Sequence, residues 1–241
     1  MSTAGPKFDK AHWARALKSP LWYVELVELI GQAKRELGEG SDELAAWLKP
    51  VRQFVAAKLT EGKVALATKG PNLDDQRAPV DSVVIHHTSA APGYDLGYLN
   101  ATQLLNIYAP YFVKPTDERE QSLRGQPLWS GHFYKSRQVF WVYHWLMRMD
   151  GSFERLLPDH QIGWHAGDWD INSRSMAICI DNDYQKQDPN PETLLKLGQF
   201  ISSHYRSVPR ARIFGHREIN PKSISPGTNF AKWKPLLLEQ L

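Results

Sequence analysis

Apolar positions along the chain follow two different periods. From residue 8 to about residue 60 they recur at helical spacing. Pro20 separates a first short helix from a second, in which Leu21, Tyr23, Val24, Leu26, Val27, Leu29 and Ile30 predict a broad apolar face. Gly38-Glu39-Gly40 ends that helix. Ser41 is placed to cap a third, built on Leu44, Trp47, Leu48, Val51, Phe54, Val55 and Leu59, with Pro50 as a candidate kink. Val64 to Thr68 reads as a short strand, and Gly70-Pro71-Asn72 and Arg77-Ala78-Pro79 punctuate a linker.

Beyond residue 80 short runs rich in β-branched and aromatic residues alternate with helical patterns. Val83-Val84-Ile85-His86-His87-Thr88 predicts a buried strand that ends on two imidazoles. Residues 100–113 predict a helix and 114–131 a surface loop shaping one wall of a groove. Val139 to Arg148 predicts a strand turned by Asp150-Gly151 into a hairpin with Phe153 to Leu157. Ser175 to Asp181 is a further buried strand. A helix over 190–207 follows, capped by Asn190 with Pro191 at its first position, its Leu194, Leu195, Leu197, Phe200 and Ile201 turned to the sheet. Arg212 to Gly215 forms a strand that delivers His216, and a last helix runs from about Phe230 to Leu241. The expected fold is α/β: a mixed central β-sheet with flanking helices over residues 80–241, preceded by an N-terminal helical segment and linker over 1–79. That segment reads as a small bundle or arm, or as a separate wall-binding module.

Composition narrows the class. At 42% apolar and 23% charged residues the chain is globular, and its formal net charge of +3 is too small to argue for nucleic acid. One cysteine, Cys179, excludes an internal disulfide and a four-thiolate metal site. No run approaches the roughly 18 apolar residues of a membrane span. Residues 1–10 are polar and lack a signal peptide's apolar core, so the chain as written is expected to start in the cytoplasm, with lysis or a non-standard route as its way out.

Two strand-end histidines, His86 and His216, are candidate ligands of one zinc ion, since neutral imidazole is a common zinc donor. The plainer alternative is one buried, hydrogen-bonded histidine and one in a loop. The ordered motifs His86-His87-Thr88, Tyr143-His144-Trp145, Trp164-His165-Ala166-Gly167, Ser175-Met176-Ala177-Ile178, Gly215-His216-Arg217-Glu218 and Ser225-Pro226-Gly227 resemble the zinc-dependent N-acetylmuramoyl-L-alanine amidases and their relatives, the peptidoglycan recognition proteins. The resemblance covers about residues 80–235. It implies hydrolysis of the amide between N-acetylmuramic acid and L-alanine in peptidoglycan or its fragments, with zinc on His86 and His216. Tyr143 and Lys222 match residues that stabilise the transition state in phage-type members. Each also has a plainer reading, as a buried aromatic and a solvated cation. His87, His144 and His165 are assigned to orienting or packing roles.

The pattern departs at Ser225, where the family places a cysteine or aspartate as third zinc ligand, and the spacing from Lys222 to Ser225 is one residue longer. A neutral hydroxyl is a poor zinc donor, so zinc is expected to be weak or absent. In the recognition proteins a serine here goes with muropeptide binding and no catalysis, and that is the rival expectation. Cys179 is a nucleophile or a buried structural thiol, and Asp181 a substitute metal ligand. A structural or interaction protein gripping a partner through its N-terminal helices is the third class.

Overall fold

Ser82–His87 forms a strand, β1, buried along its whole length. A strand of Val, Val and Ile with no polar alternation is stable only when covered on both faces and paired on both edges. Both conditions are met. In the computed structural model, which describes residues 5–70, 72–93, 112–113, 124–131, 133–134, 137–138, 142–185 and 187–241, β1 lies between two parallel neighbours.

The chain forms two compact units, Met1–Pro71 with Tyr98–Phe140, and Asn72–Gly97 with Trp141–Leu241. In the first, α1 (Lys10–Ala16), α2 (Trp22–Leu37) and α3 (Asp42–Thr60) follow the expected breaks. Ser41 Oγ accepts from Leu44 N–H at 3.0 Å and donates to the Leu37 carbonyl at 2.7 Å, joining the end of α2 to the start of α3. The buried stripe of α2 is Trp22, Tyr23, Leu26, Ile30 and Ala33. It is narrower than the pattern predicts: Leu21 and Val24 lie off that stripe and stay exposed. Pro50 lies inside α3. Residues 64–68 are not a strand. Their N–H groups are met singly, Ala65 by the Leu17 carbonyl at 2.8 Å and Ala67 by that of Leu128 at 2.9 Å, with no continuous ladder. The expected helix over 100–113 and most of the expected 114–131 loop lie outside the described residues. A two-stranded antiparallel pair, Phe133–Tyr134 with Arg137–Gln138, completes what is described of this unit.

The second unit is built on a mixed five-stranded sheet. Its strands are β1, β2 (Trp145–Met147), β3 (Phe153–Arg155), β4 (Ser175–Ile180) and β5 (Ile213–Gly215), in the order β3-β2-β4-β1-β5. Only the β2–β3 hairpin is antiparallel. Of the predicted strand from Val139 to Arg148, residues 139–141 lie outside the described residues, and among the rest only Trp145–Met147 has regular strand geometry. Short helices α4 (Trp169–Arg174) and α6 (His216–Ile219) were not legible as helical periods, being too short to show one. The longer α5 (Pro191–His204) and α7 (Phe230–Leu238) cover one sheet face. Val83, Ile85, Met176, Ile178, Ile180 and Ile213 pack there with Leu194, Leu197, Ile201, Trp233 and Leu237. Leu195, expected on that face, is 41% exposed, because the buried stripe of α5 runs through 194, 197, 198 and 201. The opposite face carries His86, Cys179 and Leu146, which stand side by side in the register. No helix among the described residues is long and apolar enough to cross a membrane.

His144 ties this sheet to the following loop. Its Nδ1 accepts from Ala177 N–H at 3.0 Å, and its Nε2–H donates to the Gln161 carbonyl at 2.9 Å. Burial first, then nearby Arg77, push its pKa down to about 3. His87 is similarly spent, with Nδ1 accepting from Tyr184 N–H at 2.9 Å and Nε2 against Ser89 Oγ at 2.9 Å.

Two outcomes follow from this packing. Ile85→Ala opens a void between β1 and its covering helices and is expected to cost about 2–5 kcal/mol, read as a lower denaturation midpoint. Below its ordinary value of 6.5, His144 takes up a proton in the unfolded chain but not in the folded one. Its stabilising contribution is therefore full above that pH and declines by about 1.4 kcal/mol per unit as pH falls toward its folded value. Denaturant unfolding followed from neutrality down to about pH 4 is expected to show that decline, and a flat profile contradicts it.

Candidate functional site

The paired strands β1 and β5 each bring a histidine to the same end of the sheet. His86 is the fifth residue of β1 and is 1% exposed. His216 follows the last residue of β5 and opens α6. Glu218 Oε2 accepts from Gly215 N–H at 2.9 Å, fixing that strand-to-helix step. Gly215 is needed there for space: a Cβ would stand 2.6 Å from the Phe230 ring and 2.7 Å from Pro226.

The geometry brings three of the sequence candidates together. The rings of His86 and His216 have centroids 4.7 Å apart, and the Tyr143 ring lies 4.8 Å from that of His86. His165 joins them edge-on, 5.1 Å from His86, with its Nδ1 3.1 Å from His86 Nε2. On its far side His165 Nε2 meets Ser175 Oγ at 3.0 Å. The loop that carries His165 is itself held, because Asn172 Oδ1 accepts from His165 N–H at 3.2 Å and Ala166 N–H at 2.9 Å. Gly163 lets this loop pass close: a Cβ there would fall 2.3 Å from the Val142 carbonyl oxygen.

The loop after α6 supplies the remaining contacts. Arg217 N–H donates to the Ser225 carbonyl at 2.7 Å, drawing the loop back on His216. Ser223 Oγ lies 3.1 Å from His216 Nδ1 and accepts from Ser225 N–H at 3.1 Å. Ser225 Oγ accepts from His87 N–H at 3.3 Å, at the end of β1. Lys222 is exposed, and its backbone N–H donates to Asn220 Oδ1 at 3.1 Å. Ser223, not Lys222, is the side chain of this loop that meets a site histidine. The one sequence feature near it is the extra residue between Lys222 and Ser225. Ser175 gave no signal, being the first residue of an apolar strand.

Electrostatics keep the imidazoles neutral. Burial, followed by the neighbouring His216 and His165, holds His86 well below its usual value. Burial and then His144 do the same to His165. For His216 burial lowers the pKa, and the Ala166 carbonyl facing the ring opposes part of that shift. Each of the two strand-end rings then has one nitrogen turned to a neighbour and one left over. The spare atoms are His86 Nδ1 and His216 Nε2. Among the described residues, His216 Nε2 is buried with no hydrogen-bond partner. Such an atom is costly unless something binds it.

Two neutral imidazoles, each with one ring nitrogen turned to a neighbour and the other without a hydrogen-bond partner among the described residues, fit a zinc ion. The third position is weaker. Among the described residues no group of three His, Cys, Asp or Glu side chains is placed to hold a metal. Asp181 is buried and its carboxylate is engaged by Arg148 Nη1 and Gly93 N–H, both at 2.9 Å. Cys179 shares the sheet face of His86, but burial and then Asp181 push its thiol pKa well above the ordinary value, so it stays protonated and unreactive at neutral pH. Ser225, at the position where the sequence pattern expects a third ligand, presents a neutral hydroxyl at the end of β1.

These residues fall within a family match. The profile of N-acetylmuramoyl-L-alanine amidase matches residues 76–228, more than half of the chain. Solved structures that resemble it include the endolysin and N-acetylmuramoyl-L-alanine amidase LysCS from Clostridium intestinale URNW, at 18% identity over 67% of this chain and 85% of that one, with a TM-score of 0.39. The Ph2119 endolysin from Thermus scotoductus MAT2119 bacteriophage Ph2119 is 17% identical over 66% of this chain and 85% of its own, with a TM-score of 0.41. Wild-type Drosophila PGRP-LB is 15% identical over 70% and 88%, with a TM-score of 0.38. No curated protein matches the sequence. The match over residues 76–228 shows that the chain belongs to the N-acetylmuramoyl-L-alanine amidase family.

Proposed function

We propose that this chain is a zinc-dependent N-acetylmuramoyl-L-alanine amidase that hydrolyses the amide between N-acetylmuramic acid and L-alanine in peptidoglycan or its fragments. The observation that carries this reading is the facing pair His86 and His216, with the spare, buried His216 Nε2 and the Tyr143 ring beside them. When bound, zinc supplies Lewis-acid polarisation of the scissile carbonyl and lowers the pKa of the attacking water. His86 Nδ1 and His216 Nε2 are the nitrogens that would hold it. Ser223 fixes the His216 ring through Nδ1. Tyr143, whose ring lies beside His86, is the phenol that would donate to the oxygen on which negative charge develops. Lys222, exposed on the same loop as Ser223, is the cation available for the same charge or for an anionic group of the substrate.

A second reading, muropeptide binding without catalysis, is favoured by one observation: Ser225 Oγ is a neutral donor already accepting from His87 N–H. Metal content separates the two. The amidase reading expects about one zinc per chain and release of new L-alanine N-termini from wall fragments, both abolished by His86→Ala or His216→Ala. Tyr143→Phe is expected to retain zinc and lose about two orders of magnitude in turnover. Muropeptide binding that is the same in chelator and in added zinc, with no cleavage in either, removes the amidase reading and keeps the binding one.

Restoring the stronger donor is the complementary test. Ser225→Cys or Ser225→Asp is expected to tighten zinc by about tenfold or more, measured by competition with a chromophoric chelator. Equal affinity in wild type and both variants places Ser225 away from the metal.

A further inference from the structure

The hydrogen-bonded file behind His86 has a consequence for that ring's tautomer. His86, His165 and Ser175 are buried, at 1%, 4% and 0% exposure, and are joined end to end through His86 Nε2, His165 Nδ1 and Nε2, and Ser175 Oγ. A neutral imidazole carries one N–H and one lone pair, so fixing one ring fixes the next. Two settings satisfy both contacts. In the first, His165 Nε2–H donates to Ser175 and His86 Nε2–H donates to His165 Nδ1. In the second, every proton moves over and both rings become Nδ1–H. Nε2–H is the ordinary preference of a histidine side chain in water, and the first setting gives it to both rings. The second requires the less favoured form twice. It also points the His86 Nδ1–H at no acceptor among the described residues, since the one hydrogen bond of the His86 side chain is that to His165.

We propose that His165, braced by Ser175 and by the Asn172 amide oxygen, is a positioning residue. It holds His86 as the Nε2–H tautomer and thereby keeps the His86 Nδ1 lone pair facing the site. The zinc consequence rests on the amidase reading above; the tautomer consequence does not. His165 touches neither the proposed metal position nor substrate in this role. It acts through His86, and Ser175 acts through His165.

The test uses the full-length protein labelled at histidine nitrogen, with two-bond nitrogen–proton spectra reporting the tautomer of each ring. In zinc-free wild type His86 is expected as Nε2–H. In His165→Leu it is expected to become a mixture of tautomers. In His165→Gln, whose amide can accept from His86 and donate to Ser175, the Nε2–H form is expected to return. Zinc affinity measured by chelator competition is expected to weaken by about tenfold or more in His165→Leu and to recover in His165→Gln. Ser175→Ala provides a milder variant in case His165→Leu does not fold, with the same loosening of the His86 tautomer expected. An Nδ1–H ring at His86 in the wild type, or an unchanged Nε2–H ring in a folded His165→Leu or Ser175→Ala protein, overturns the proposal. A wild type that takes up no zinc while His86 stays Nε2–H removes the zinc reading and supports the positioning role.

Discussion

The parallel pairing of β1 with a neighbour on each edge is the constraint on which the second unit depends. Val83, Val84 and Ile85 have no polar alternation, so the strand cannot sit at a solvated edge or under one layer. With β4 on one side and β5 on the other, its backbone groups are met and its odd and even side chains face different surroundings. Val83 and Ile85 enter the core beneath α5 and α7. His86, one step on, is turned by the same pleat to the other face, next to Cys179 in the register. The site is thus a by-product of strand alternation at the point where an apolar run stops.

Around that pair, the remaining histidines divide by how their ring nitrogens are used. His87 and His144 have both nitrogens committed to backbone or serine partners and serve as internal struts. His165 spends both on Ser175 and His86. His86 and His216 each spend one, and that surplus sets them apart chemically. Burial acts on all of them in the same direction, favouring neutral rings, so hydrogen bonding rather than charge distinguishes His86 and His216 from the other buried histidines.

Much of this was legible in the sequence because it rests on local pattern. The His86 strand, the Asp150-Gly151 hairpin, the Asn190 cap and the Ser41 cap are signals carried within a few residues. The convergence of His86 and His216 was legible as well, since both terminate apolar runs that have to pair in one sheet. What escaped were features set by tertiary contact. Leu195 has the right hydrophobicity but the wrong angle on α5. Val64 to Thr68 has strand composition but finds only isolated partners. Ser223 faces His216 through the fold of its loop, and no local property of a serine announces that.

The ion pair of Arg212 Nη2 with Asp81 Oδ1, at 2.7 Å, joins residues 131 positions apart and marks the mouth of the β1–β5 seam. The imidazoles sit at the seam's opposite end. β5 is an edge strand that joins the sheet through β1, so this seam is what holds it there. Anything that bridges the two rings rivets the seam from its far end. A bound cation or substrate would therefore report on more than chemistry: it would act as a stitch between β1 and β5, coupling occupancy to the cohesion of that edge of the sheet.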